Sequence, residues 1–132
     1  MSDLGFTHIA LPVRSLEASI AFYGRFANMR VVHRRPGASW ISDGTRPFVI
    51  VLIESSVEIR PLLPEAHLGV AVASRDEVDR LCDIARAEAC LVSEPVEFGP
   101  PVGYWAYLKD PDGHTLELAY GQNVSLAVET SI

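Results

Sequence analysis

The sequence predicts an α+β fold: two βαβββ modules whose curved mixed sheets surround a shared cleft, within one chain or between two. Three observations carry this. The order strand, helix, strand, strand, strand can be read twice along the chain, over about 5–62 and again over about 63–122, and such an internal repeat outweighs any single element. Each half would make a small sheet with a helix on one face, so neither half alone covers both faces of its sheet. Finally, Tyr104–Tyr120 holds an Asp110-Pro111-Asp112-Gly113 turn between two apolar, aromatic runs, which specifies a hairpin. Proline pre-sets φ there, and glycine accepts a backbone shape that other residues resist. The length of 132 residues is that of one domain, 1–132.

The elements follow in order. Phe6–Val13 is a strand, with Pro12 marking an edge or an end. Ser15 caps a helix running to about Met29, with Leu16, Ile20, Tyr23 and Phe26 as its apolar stripe. Met29–Arg35 is a valine-containing strand, and Ser39–Ser42 a short one followed by the hairpin signal Asp43-Gly44. Phe48–Ile53 is almost continuously apolar, which predicts a strand covered on both faces. Two prolines make 55–65 a linker. The pattern then restarts with a strand at His67–Ala73. Ser74 and Glu77 form a capping box for a helix whose buried stripe is Val78, Leu81, Ile84 and Ala85. A strand over Cys90–Val96, a loop over Gly99–Gly103 and the two hairpin strands complete the second half. The tail beyond Gln122 has weak signal.

Composition excludes several function classes. The formal net charge is −6 and apolar residues make up 48%, so the chain lacks the basic footprint of a nucleic-acid or anionic-membrane partner. His33-Arg34-Arg35 is a short basic cluster, expected to be a solvated strand end. No apolar run reaches the length of a membrane span. Cys82 and Cys90 lack CxxC spacing, and no apolar leader opens the sequence. They are expected to be reduced thiols in helix and strand core, in a cytoplasmic protein.

One residue stands out chemically. Glu117 alternates with Leu116 and Leu118 along the last strand, so a carboxylate points from an apolar run and needs water, a cation or a metal. His8 opens the first strand of the first half and His67 the first strand of the second. The segments Phe6–Val13, Ser19–Tyr23, His67–Val72 and Asp110–Glu117 together resemble the vicinal oxygen chelate superfamily. That family includes glyoxalase I, extradiol dioxygenases, fosfomycin-resistance thiol transferases and bleomycin-binding proteins. The resemblance spans about residues 5–122. It implies a homodimer with a small-molecule substrate, and one divalent metal ion (Fe, Mn, Zn or Ni) on the inner sheet face. By position, the implied ligands are His8, His67 and Glu117. His8 is given by the same chain or, in the preferred arrangement, across a dimer interface.

Two imidazoles and a carboxylate leave coordination positions open for oxygen ligands, so a substrate with two adjacent oxygens can chelate. The resemblance places a fourth ligand in glyoxalase I where strand parity puts Val51. Valine cannot ligate, which disfavours that chemistry, and Glu54 should face the other side. Tyr107 matches a functional tyrosine of the dioxygenases and thiol transferases and is the candidate catalytic residue. Its structural alternative is a cross-strand aromatic pair. The dioxygenase reading lacks acid–base histidines near Leu52 and Phe98. The thiol-transferase reading lacks basic residues for a phosphonate. The competing class is a metal-free module that sequesters a drug or aromatic compound. His33 and His114 are expected at the surface. Trp40, Trp105, Tyr104 and Phe98 are expected in the cleft or core.

Overall fold

The structure, a computed structural model, describes residues 4–130. The chain divides into two compact units, one running to Pro61 and including Asp110–Asp112, the other comprising Leu62–Lys109 and the residues from Gly113.

In the first unit the elements are β1 (His8–Val13), α1 (Leu16–Ala27), β2 (Arg30–Arg35), β3 (Ala38–Ser42) and β4 (Val49–Glu54). They form a four-stranded sheet in the order β1-β4-β3-β2, with β1 and β4 parallel and the other pairs antiparallel. Pro12 therefore lies on an edge strand, where its missing N–H costs no ladder bond. Ser15 accepts a hydrogen bond from the Ala18 N–H and starts α1 as expected. The helix stops at Ala27 because Asn28 turns left-handed, at φ 54°, and closes its end. Its buried side is Ser19, Phe22, Tyr23, Phe26 and Ala27, while Leu16 and Ile20 are only half-buried. Strand alternation puts Leu11, Val13, Ile41, Ile50 and Leu52 on the helix-covered face, and all five are buried. The opposite face of β4 departs from expectation: Ile53 is 44% exposed, so an apolar strand need not be covered twice. The acidic turn residues also belong here. Tyr23 donates to Asp110 Oδ2 at 2.8 Å, and the Arg14 N–H to Asp112 Oδ1 at 3.0 Å.

The second unit repeats the order with β5 (Leu68–Ala71), α2 (Arg75–Ala87), β6 (Val96–Glu97), β7 (Tyr104–Lys109) and β8 (Thr115–Tyr120), and adds α3 (Val124–Glu129). Its sheet order, β5-β8-β7-β6, is the first one over again. β7 and β8 form the expected antiparallel hairpin, and Asp110 Oδ1 ties the turn by accepting from the Asp112 N–H at 2.9 Å. Ser74 caps α2 through the Glu77 N–H, while the Glu77 carboxylate is held by Arg80. Val78, Leu81, Cys82 and Ala85 are the buried side of α2, and Ile84 is half-buried. Val78, Cys82 and Ala106 close the core, with Tyr104 and Tyr120 packed against them.

One expectation fails here. The strand over Cys90–Val96 is reduced to a bridge at Leu91 and the two residues of β6. The Ser93 hydroxyl accepts the Tyr107 N–H in place of a backbone carbonyl, and Pro95 has no N–H to offer, so the ladder breaks. The weak-signal tail contains α3, started by Asn123, whose side chain accepts from the Leu126 N–H.

Candidate functional site

In the second unit, His67 immediately precedes β5 at the end of an anchored strap. The Leu62 N–H donates to His114 Nδ1 at 3.0 Å, and the Leu62 carbonyl accepts from the Thr115 N–H and hydroxyl at 2.8 and 2.9 Å. A turn follows, closed by the Ala66 N–H on Leu63 O. It presents the Pro64 carbonyl to His67 Nδ1 at 2.7 Å. A carbonyl only accepts, so Nδ1 carries the proton and Nε2 is the free face of the ring.

That Nε2 lies 3.4 Å from Glu117 Oε1. The Glu117 side chain is only 7% exposed, and Gln122 Nε2 donates to its other oxygen at 3.4 Å. Gly69 sits opposite in the parallel register and adds no side chain over the carboxylate. His67 Nε2 thus faces the Glu117 carboxylate. A proton, a bridging water or a metal ion shared by that nitrogen and that oxygen would satisfy both. A histidine whose second nitrogen is fixed by a backbone carbonyl is also how metal-binding imidazoles are held. The nitrogen and oxygen donors therefore fit a divalent ion. Among the described residues, no group of three or more His, Cys, Asp and Glu converges, so the structure brings together His67 and Glu117 as a pair.

Tyr107 on β7 is the direct cross-strand partner of Glu117, and its ring lies 5.1 Å from that of His67. Burial, and then the Glu117 charge, raise its phenol above the ordinary value, so the hydroxyl stays protonated through the neutral range. Trp105 follows at 4.7 Å and Phe98 at 5.3 Å, a row of rings along one sheet face. Tyr104 lies on the other face, donating to Asp79 at 2.5 Å with Arg75 over its ring, and belongs to the core side.

His8 stands on the uncovered face of the first unit. It lines a concavity of 410 Å³ with Thr7, Ala10, Trp40, Val51 and Ile53 among its walls, and its Nδ1 is 2.9 Å from the Thr7 hydroxyl. Ala10 pairs with Val51, and Trp40 with Val51, as Gly69 and Tyr107 pair with Glu117. The two units thus share one template: histidine two residues before the paired position, aromatic across the hairpin, and a central residue that is Glu117 in one and Val51 in the other. Glu54 is exposed at the end of β4.

Of the other histidines, His33 is exposed and edge-on to Trp40 at 4.9 Å, as expected. His114 is a correction. It is 1% exposed, because the strap covers it and uses its Nδ1 as an acceptor. A partner 52 positions away left no local signal for this in the sequence.

The chain matches the family model described as the Glyoxalase/Bleomycin resistance protein/Dioxygenase superfamily over residues 5–118. An uncharacterized protein of Pseudomonas aeruginosa is 42% identical over 123 residues, 88% of each chain. Among solved structures, a glyoxalase-related enzyme from Fulvimarina pelagi is 27% identical, with 86% of each chain covered and a TM-score of 0.67. The fosfomycin resistance protein FosX from Listeria monocytogenes, complexed with Mn(II) and 1S,2S-dihydroxypropylphosphonic acid, is 20% identical. It covers 89% of this chain and 90% of its own, with a TM-score of 0.70, a likeness of fold. Among the described residues, no helix is long and apolar enough to cross a membrane.

Proposed function

The chain belongs to the glyoxalase/bleomycin resistance protein/dioxygenase superfamily, and on that premise we propose that it is a divalent-metal-dependent enzyme acting on a small organic substrate with two adjacent oxygens, by dioxygenase-like or thiol-transferase-like chemistry. The observation that carries the proposal is the His67 Nε2–Glu117 Oε1 pair at 3.4 Å, with the far side of the imidazole fixed on Pro64. In this reading His67 and Glu117 are ligands, and His8 is the third by family resemblance, given by the same chain or by a partner copy. A bound divalent ion would supply Lewis acidity toward the chelating oxygens. Glu117 keeps its charge away from water, so its donor strength is not spent on solvent. Tyr107 holds a proton beside the site and offers it to a developing anion.

The test is metal analysis of protein purified without chelator, joined to thermal melts with Fe(II), Mn(II), Ni(II) or Zn(II). One equivalent per chain and a raised melting temperature are expected, both lost in His67→Ala. No bound ion and no stabilisation by any of the four overturns the proposal.

The concavity beside His8 favours a second reading, a metal-free module that sequesters an apolar compound, because most of its named walls are apolar. In that case adding a metal chelator would leave both ligand affinity and melting behaviour unchanged.

A further inference from the structure

We propose that the open face of β7 is a binding strip for aryl-substituted 2-hydroxy or 2-oxo carboxylic acids, with Phe98 and Trp105 holding the ring and Lys109 the carboxylate. This deepens the metal reading and rests on it, since the pair of His67 and Glu117 flanks the middle of the strip at Tyr107.

Alternation places Trp105, Tyr107 and Lys109 on one face of β7, successive members about 6.6 Å apart along the strand. Val96 pairs with Trp105, so Phe98, two residues on, shares that face. The strip is therefore ordered. At one end is an ammonium, exposed and without a side-chain partner among the described residues. In the middle are an imidazole nitrogen and a carboxylate oxygen 3.4 Å apart. At the other end is a row of rings, Tyr107 tilted against Trp105 at 4.7 Å and Phe98 edge-on to Trp105 at 5.3 Å.

The ring end is apolar surface left in water. Phe98 is 66% exposed and Val96 40%. The indole N–H of Trp105 is buried with no hydrogen-bond partner, so the ring can shift against a guest without breaking a bond. The loop beneath is held: the Phe98 N–H donates to Gly103 O at 3.0 Å, and the Gly99 N–H to the Glu97 carboxylate at 2.8 Å. A ligand with a carboxylate, an adjacent oxygen and an aryl group, in that order, matches the strip from end to end. A small aliphatic hydroxy acid would leave the rings bare.

Lactate and 3-phenyllactate are the probes, since they differ only by the phenyl group. Calorimetry on the full chain loaded with Mn(II) should show 3-phenyllactate bound at least about tenfold more tightly, the gain from covering one aromatic ring. Phe98→Ala, at an exposed position where folding is not at issue, and Trp105→Leu should each shrink that ratio. Lys109→Met should weaken both acids while leaving 3-phenyllactamide, which lacks the charge, unchanged. Equal affinity for the two acids overturns the inference, as does a ratio that survives both ring substitutions, or a Lys109→Met variant that binds the acids as before. Metal content of the same samples separates the two readings. One ion per chain with equal affinities sinks the strip alone. No ion sinks the metal reading, and a ring-dependent preference in that sample would still support the strip.

Discussion

Glu117 is a carboxylate withheld from water, and most consequences at the residue scale start from it. Glu117→Gln keeps the shape and removes the charge, so affinity for a divalent ion should fall by at least about a hundredfold, measured by competition with a chelating dye. Tyr107→Phe keeps the ring against His67 and should leave metal content unchanged, while turnover of a found substrate drops by roughly a hundredfold or more. Tyr23 makes a separate case. Its phenol is buried, and burial together with Asp110 pushes its ionisation far above the ordinary value of 10.0. Above that ordinary value the unfolded chain binds fewer protons than the folded one, so stability should decline as pH rises beyond it. Tyr23→Phe should flatten this alkaline decline in melts taken between neutral and strongly basic pH. It should also cost about 2 kcal/mol at neutral pH, for a buried hydrogen bond to a carboxylate. Strand parity singled out Glu117 from local pattern alone, whereas His67 and Tyr107 were pointed to by family resemblance; the structure places the three side chains beside one another in the second unit. The roles of His114 and Asp110 were not legible in the sequence, because their partners Leu62 and Tyr23 lie 52 and 87 positions away.

At the scale of elements, capping and turn chemistry decide where structure begins. Ser74→Ala should cost about 1 kcal/mol by removing the acceptor of the Glu77 N–H, measured by chemical denaturation. Gly103 is less forgiving. It is buried at φ +87°, and a Cβ there would run into the Tyr120 carbonyl and the backbone that leads to Gln122. Gly103→Ala should destabilise by more than about 2 kcal/mol and also weaken metal binding, since Gln122 donates to Glu117. Helices with a cap and an apolar stripe were readable in sequence to within a few residues. The broken strand before β6 was not. Valine and leucine there carry strand propensity, and the break comes from a Ser93 hydroxyl that competes for a ladder bond.

For the molecule as a whole, the repeated order of elements was legible because each half carries its own strand–helix–strand periodicity, whereas the order of strands within each sheet comes from the structure. The difference between the halves rests on the two central positions, Val51 and Glu117. If His8 is given by a partner copy, mixing His8→Ala with His67→Ala chains should restore metal binding to about a quarter of the sites under random pairing. No recovery is expected if one chain holds all its ligands. The strap from Leu62 to His67 has a consequence of its own. Surface connections normally tolerate a lengthened chain at small entropic cost. Here one added residue would move the Pro64 oxygen off Nδ1 and swivel the imidazole, so spacing in this connector acts as a tuning screw on chemistry. Relatives with an insertion at that point should hold metal differently even when every donor atom is kept.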